Sequence, residues 1–414
     1  MTPIYLFEDS KLDRLYPLTL SRAAFELRCG ACTLLERAAR MLGAPIAGLL
    51  VRDGIAPVLR QRTSLPVNPP VATREGVLLI NARWLMLQSP GEMPEDSAGL
   101  VSDAIVWMHL GTESAAAVDY GKMHDPRTLE AVLPSVQRMA ASAKMIERPW
   151  DLLSWQHEAL ALDFAAVGPA QRGEMLGVVS QLAPENIHIA AGVVINPGVV
   201  LDARGGPILI GEKAEIKPNA VLTGPVAIGQ RAVVRTLADI REGTAIGPGA
   251  RVGGEVIGSI FLANSNKQHH GFVGQSIIGE WANLGAGTTT SNLKNTYGLV
   301  RMPINNTEEA TGRQFLGAVV ADHAKIGIGT YLSTGTVIGF SSHVTSPRPP
   351  KFIPSFAWVT PKGIDRVDFE KVVAVARAVM ERRGMEMTQA DKDLFVRIAG
   401  DWATREQYAW DAVV

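Results

Sequence analysis

The sequence predicts an α/β domain with a parallel sheet, then a left-handed parallel β-helix, then a helical C-terminal tail. Three features carry this expectation. Short apolar runs of strand length alternate with helical segments in the first 165 residues; aliphatic residues then recur at every sixth position; and a proline-rich exit, Thr345-Ser-Pro-Arg-Pro-Pro-Lys351, ends the repeat. The expected boundaries are 1–165, 166–350 and 351–414.

In the first part, residues 4–7, 46–51 and 77–80 are apolar runs of strand length. Residues 33–42 have helical spacing through Leu34, Leu35, Ala38, Ala39 and Leu42, with Gly43 as a stop, and a helix-like segment lies near 55–61. Alternation of this kind predicts a parallel sheet. Residues 129–146 and 150–166 are expected to be helices connecting the two halves.

From Ile189 the period becomes six. Ile189, Ile195 and Leu201 lead to Ile210, Ile216, Leu222, Ile228, Val234, Ile240, Ile246 and Val252 without a slip. The series breaks at 253–277, resumes at Ile278 and Leu284, breaks again near 293–319, and returns as Val320, Ile326, Leu332, Ile338 and Val344. A three-sided coil in which each side turns one aliphatic side chain inward explains this spacing. Gly after the aliphatic residue, as in Ile228-Gly229, suits a corner where a Cβ would clash. In the tail, Phe369, Val372, Val373, Val375 and Ala376, then 394–398, form apolar helical faces expected to pack along the β-helix or a neighbouring subunit.

Of the 414 residues, 47% are hydrophobic and 20% charged, which places the chain among globular proteins of more than one domain. A net charge of −1 supplies no field for nucleic acid or an anionic membrane, so neither partner is expected. No apolar run is long enough to span a bilayer, the first residues show no secretion signal, and the cytoplasm is the expected location. Cys29-Gly-Ala-Cys32 has dithiol spacing, but no second cysteine pair completes a four-ligand zinc site, so the two read as small core residues.

The first break in the repeat collects His269, His270, Lys267, Asn283, Asn292 and Lys294. Ser265-Asn-Lys-Gln-His-His-Gly-Phe-Val-Gly274 and Gly279-Glu-Trp-Ala-Asn-Leu-Gly-Ala-Gly-Thr-Thr-Thr-Ser-Asn292 resemble the bifunctional N-acetylglucosamine-1-phosphate uridylyltransferase / glucosamine-1-phosphate acetyltransferase family, in a divergent bacterial branch. The resemblance implies a homotrimer that binds acetyl-CoA between neighbouring β-helices. It implies His269 as the catalytic base, at five residues before Gly274 and fourteen before Asn283. Asn283 and Asn292 match sugar- and acyl-contacting positions, and Gly285, Ala286, Gly287 and Thr288 match the segment that meets the thioester. The family's tyrosine three residues after the histidine is Phe272 here. Lys267 and Lys294 are candidates to hold a sugar phosphate as point charges.

The N-terminal part resembles sugar nucleotidyltransferases through Arg14-Leu-Tyr-Pro-Leu-Thr19, although Glu8-Asp-Ser-Lys-Leu-Asp13 replaces the family's glycines. Carboxylates there would repel a nucleoside triphosphate unless Mg²⁺ intervened. Arg14, Arg22, Arg28, Asn81 and Arg83 are the nucleotide-binding candidates, since ligands of α/β sheets sit at strand carboxyl ends. The expected activity is acetyl transfer to an amino-sugar phosphate, with formation of the nucleotide sugar by the first domain. Two other readings remain at this stage: a non-catalytic nucleotide-sugar-binding scaffold, and a zinc hydratase like the γ-carbonic anhydrases, drawing on His269, His270 and His323.

Overall fold

The structure, a computed structural model, describes residues 2–305 and 307–405, with side chains described as far as residue 400. It divides into two compact units. One comprises Met1–Leu15, Ser21–Leu27 and Cys32–Arg148, and the other Tyr16–Leu20, Arg28–Ala31 and Pro149–Val414.

The first unit is built on a six-stranded sheet in the order Ile46–Leu50, Ile4–Phe7, Val77–Asn81, Ala104–Leu110, Ser97–Val101, Gln137–Ala140. The first three strands are parallel, as expected. Ala104–Leu110, however, runs antiparallel to both Val77–Asn81 and Ser97–Val101, so the sheet is mixed. The cause is local: only Ser102, at φ 55°, and Asp103 join Ser97–Val101 to Ala104–Leu110, and a two-residue turn joins antiparallel strands only. The helix Leu34–Leu42 forms where expected. Thr33 Oγ1 accepts from the Glu36 N–H, Glu36 reaches back to the Thr33 N–H, and Gly43 ends the helix at φ 61°. The helix expected over 129–146 does not form. Pro126–Glu130 is helical, but Pro134 starts a short 3₁₀ turn, and Gln137–Ala140 then pairs in parallel with Ser97–Val101 as an edge strand.

The acidic segment after the first strand is folded inward. Glu8 is fully buried and accepts from Arg52 Nη1 (2.8 Å) and the Ala24 and Arg52 N–H groups (3.1 and 3.2 Å). Asp9 takes Arg83 on both oxygens (Nε 2.9 Å, Nη2 2.5 Å) and also Asn81 Nδ2 (2.9 Å). Arg83, itself 0% exposed, spends Nη1 on the Ile146 carbonyl (3.0 Å) and Glu147 Oε1 (2.8 Å). Burial alone would raise the Asp9 and Glu147 carboxyls, but the hydrogen bonds and charge of Arg83 outweigh it and hold both below the usual range. Burial dominates at Glu8 and pushes its carboxyl up despite Arg52.

In the second unit, the helices Asp151–Ser154 and Gln156–Val167 lead into a left-handed parallel β-helix whose first strand is Ala170–Gln171. Its coils stack into sheets of ten and eleven strands; the third face has six strands and continues as the pair Thr289–Thr290 and Tyr331–Leu332. The inward column is the aliphatic series expected: Ile189, Ile210, Ile228, Ile246, Ile278, Val320 and Ile338 on one face, each 2% exposed or less. Coiling does not stop at 253–277. Val256, Phe261 and Val273 keep filling the lumen there, with the phase shifted because the corner between Arg251–Val252 and Glu255–Ile257 has shrunk to Gly253-Gly254. The break near 293–319 is a true insertion carrying the hairpin Arg301–Ile304 and Thr307–Ala310. The solenoid also outlasts Val344, adding Phe352–Ile353 and Ala357–Thr360 before Gly363–Arg366 pairs antiparallel.

The tail forms Phe369–Glu381 and Gln389–Arg405 and packs back on its own β-helix. Phe395 meets His323 and Phe340 edge-on, and Arg383 Nη1 donates to the Gly249 carbonyl (2.9 Å). Cys29 is buried, its Sγ 3.3 Å from the Leu152 carbonyl, and Cys32 is half-buried; both are free thiols. No helix among the described residues is long and apolar enough to cross a membrane.

Two outcomes follow. A Cβ on Gly229 would lie 2.6 Å from the Pro248 nitrogen of the next coil, so Gly229→Ala should destabilise the β-helix by about 1–3 kcal/mol in chemical denaturation. Arg83→Met leaves two carboxylates without their buried cation and should cost the first unit about 3–5 kcal/mol. Because both carboxyls titrate below their unfolded range, that cost should be full at neutral pH. It should shrink as pH falls below about 4, and a cost unchanged at pH 3 would refute the pairing.

Candidate functional site

The site is a stack of corners on one edge of the β-helix. The chain turns at Gly253-Gly254 in one coil, at residues 268–271 in the next and at 285–288 in the one after. Two-residue and four-residue corners thus lie one over the other. His269 and His270 are exposed at the middle corner, outside the aliphatic column. The Gly287 N–H donates to the His270 carbonyl (3.0 Å), and a Cβ built on Gly287 would stand 3.6 Å from His270 Nε2. Gly287 itself turns at φ +74°. His270, rather than the expected base His269, is thus the imidazole shown beside the glycine-rich corner.

The segment 285–288 is mostly committed to the coil. Gly285 N–H donates to the Ile326 carbonyl (2.9 Å), and a Cβ there would meet the Ile328 nitrogen at 2.6 Å, so this glycine is required by the coil above. Thr288 is fully buried and its Oγ1 donates to the Gly327 carbonyl (3.3 Å), which corrects its expected contact with an acyl carrier. Among the described residues, the Ala286 N–H is the one amide of Gly285, Ala286 and Gly287 without an acceptor.

Asn283 lies half-buried on the adjacent face, in register with Asn266, and its Oδ1 accepts from Asn266 Nδ2 (2.6 Å). Lys325 follows Asn283 in the same outward column, and its Nζ donates to the Trp281 carbonyl (2.7 Å); burial lowers its amine to about 8. The sequence signal for this ladder was the 17-residue step from Asn266 to Asn283, one coil in length. Asn292 donates from Nδ2 to Gln275 Oε1 (2.5 Å) on the coil below.

Of the two lysines, the structure corrects the expectation for Lys267. Lys267 is 0% exposed and occupies the lumen position in register with Val252. Its Nζ donates to the carbonyls of His269 (2.5 Å), His270 (3.1 Å) and Gly253 (3.3 Å), and burial lowers it to about 8. It cannot reach a phosphate outside. Lys294 Nζ is held by the Leu299 carbonyl (2.7 Å) inside the insertion.

The nucleotide-binding candidates are largely used up by the α/β unit's own structure. Arg83 and Asn81 close on Asp9, and Asn81 Nδ2 also donates to the Ile105 carbonyl (2.8 Å). Arg22 is buried, its carbonyl taking Arg52 Nη2 (2.9 Å). Arg28, in the second unit, donates from Nη1 to the Ala31 carbonyl. Arg14 pairs with Glu147 (3.0 Å) but keeps 43% of its side chain exposed. Glu8 and Asp9 do not fit as Mg²⁺ ligands, because their oxygens already serve Arg52, Arg83 and Asn81. His323 is buried against the rings of Trp281, Phe340 and Phe395, apart from the exposed His269 and His270. No three His, Cys, Asp or Glu side chains among the described residues converge as a metal site within one chain.

Residues 4–170 match the family model described as sugar nucleotidyl transferase. The chain is 32% identical over 206 residues to the bifunctional protein GlmU of Methanococcus vannielii, covering 48% of this chain and 41% of that one. It is 36% identical over 136 residues to a bifunctional sugar-1-phosphate nucleotidylyltransferase/acetyltransferase of Sulfurisphaera tokodaii, covering 32% of this chain and 34% of that one. An uncharacterised acetyltransferase of Escherichia coli, YaiX, is 35% identical over 160 residues, covering 37% of this chain and 65% of that protein. The chain thus spans about two-fifths of the first of these relatives, whose alignment covers 41% of its length. These matches bear out the resemblance of this chain to the bifunctional sugar nucleotidyltransferase/acetyltransferase enzymes.

Proposed function

We propose that the β-helix is an acetyltransferase acting in nucleotide-sugar biosynthesis, moving an acetyl group from acetyl-CoA to the amine of a sugar phosphate. The observation that carries this reading is the stacking of the corner that exposes His269 on the next corner, where the Ala286 N–H is left without an acceptor. The amine attacks the thioester carbonyl, and His269 takes the proton that the nitrogen loses. Imidazole is the side chain that most often takes up a proton as general base at neutral pH. The Ala286 N–H stands on the developing oxyanion. Collapse breaks the carbon–sulfur bond, and the imidazolium returns its proton to the departing thiolate. Asn283 and Asn292 serve the sugar and acyl groups, and a homotrimer supplies a second β-helix wall for the acyl carrier. Matches to proteins named as acetyltransferases support the reaction class.

For the α/β unit, the match over residues 4–170 supports nucleotidyl transfer to a sugar 1-phosphate, with Arg14 as the exposed phosphate contact. The internal neutralisation of Glu8 and Asp9 favours a second reading for this unit: it binds a nucleotide sugar without making it. Pyrophosphate release from a panel of nucleoside triphosphates with sugar 1-phosphates would exclude that second reading.

The acetyltransferase is tested with acetyl-CoA and a panel of amino-sugar phosphates, scored as free thiol. The wild-type chain should release thiol with at least one acceptor, and His269→Ala should lower kcat by about 10²–10⁴-fold. Silence of the wild type across the panel would sink the reaction, and equal rates in the two proteins would remove His269 as the base.

A further inference from the structure

The lumen of a β-helix is a place for aliphatic side chains, and Lys267 is an exception. Its column neighbour Val252 and the next inward residue on that face, Leu284, are both aliphatic. An ammonium group taken out of water costs free energy that Met or Leu at the same position would not. No carboxylate shares its charge; its partners are three carbonyl oxygens, at 2.5, 3.1 and 3.3 Å. An ammonium has three N–H donors, so the count of partners matches. Two of those carbonyls belong to His269 and His270, whose imidazoles face solvent. The third belongs to Gly253, in the shortened corner beneath, where a Cβ on Gly254 would meet the Gly271 and His269 carbonyl oxygens at 2.6 and 3.1 Å.

We propose that Lys267 is a positioning residue, an internal ammonium that ties the His269 and His270 carbonyls to the lumen and so fixes the peptide from which both imidazoles project. Without it the corner keeps the Gly287 N–H on the His270 carbonyl above and the Glu255 N–H on the Gly271 carbonyl below, and neither holds the His269 carbonyl. The His269 carbonyl then turns freely, and the ring swings with it. A base displaced by about 1 Å can lose about 10²-fold in rate, so a clamp on its backbone is a lever on turnover rather than on substrate affinity. This inference rests on the acetyl-transfer reading for its kinetic consequence but not for its structural one.

The test compares Lys267→Met, which fills the column without donors, with Val252→Ala, which weakens the same column and keeps the amine. Full-length chains with ¹³C-labelled histidine report the ring signals of His269 and His270, identified by their disappearance in His269→Gln and His270→Gln. In Lys267→Met both ring signals should shift or broaden, and kcat for acetyl transfer should fall at least tenfold with KM for acetyl-CoA within about threefold of wild type. In Val252→Ala the melting temperature should drop while the ring signals and kcat stay as in wild type. Should Lys267→Met not fold, Lys267→Gln, with two N–H donors on a shorter stem, should show the same changes to a smaller degree. Unchanged ring signals in the folded Lys267 variant would overturn the clamp, as would identical changes in Val252→Ala. A wild type without transferase activity whose ring signals still respond to Lys267→Met would refute the acetyl-transfer reading and leave the clamp standing.

Discussion

Each face of each coil must deliver one side chain to the lumen, and the rest of the β-helix is arranged to satisfy that demand. A buried Ile, Val or Leu contributes about 1.5–3 kcal/mol, and the column runs from Ile187 to Val359 with Lys267 as a charged interruption. Corners absorb whatever the column does not allow. Several take up left-handed backbone at residues other than glycine, among them Lys213, Arg231, Leu237, Trp281 and His323, with φ between 54° and 60°. The strain at these positions, roughly 1–2 kcal/mol each, is offset by the burial that the adjacent inward residues achieve. A site on such a scaffold inherits rigidity from the coils on either side. The histidine corner has the His270 carbonyl bonded to the coil above and the shortened Gly253-Gly254 turn pressed against it from below.

The α/β unit is governed by a different constraint. Where the resemblance led to the expectation of a glycine-rich loop, this chain places Glu8 and Asp9, and their charge is answered by Arg52 and Arg83. The same hydrogen-bonded ion pairs that stabilise the unit engage Asn81 and Arg83, two of the residues expected to contact a nucleotide. Chemistry and stability compete for the same side chains there, and stability has most of them.

Much of this was legible in the residues. The hexad register located the lumen, the capping pair Thr33 and Glu36 located a helix start, and the apolar faces of the tail fell where the structure buries Val372, Val373, Ala376 and Phe395. The failures have physical causes. Counting sixes from Val252 lands on Gly258, because a two-residue corner brings the next inward residue to Val256 and Phe261 follows five later. The column then presents Lys267, which no hydrophobic pattern flags, so four inward positions, Val256, Phe261, Lys267 and Val273, read as a gap. Residues 129–146 carry helix-forming composition, yet Pro134 and the open edge of Ser97–Val101 together draw the segment into a strand. Backbone commitments were invisible too: nothing in Gly285-Ala-Gly287 says which of its amides the next coil will consume.

The last strand of the solenoid has a bearing on how copies of this chain behave at high concentration. A stack of parallel rungs exposes a ready template at its open end, and growth by addition of another molecule's strand needs the same direction and spacing. Gly363–Arg366 folds back against Ala357–Thr360 in the opposite sense. With Asp365 and Arg366 exposed on that returning strand, addition of another molecule's strand to this face is blocked by the chain itself.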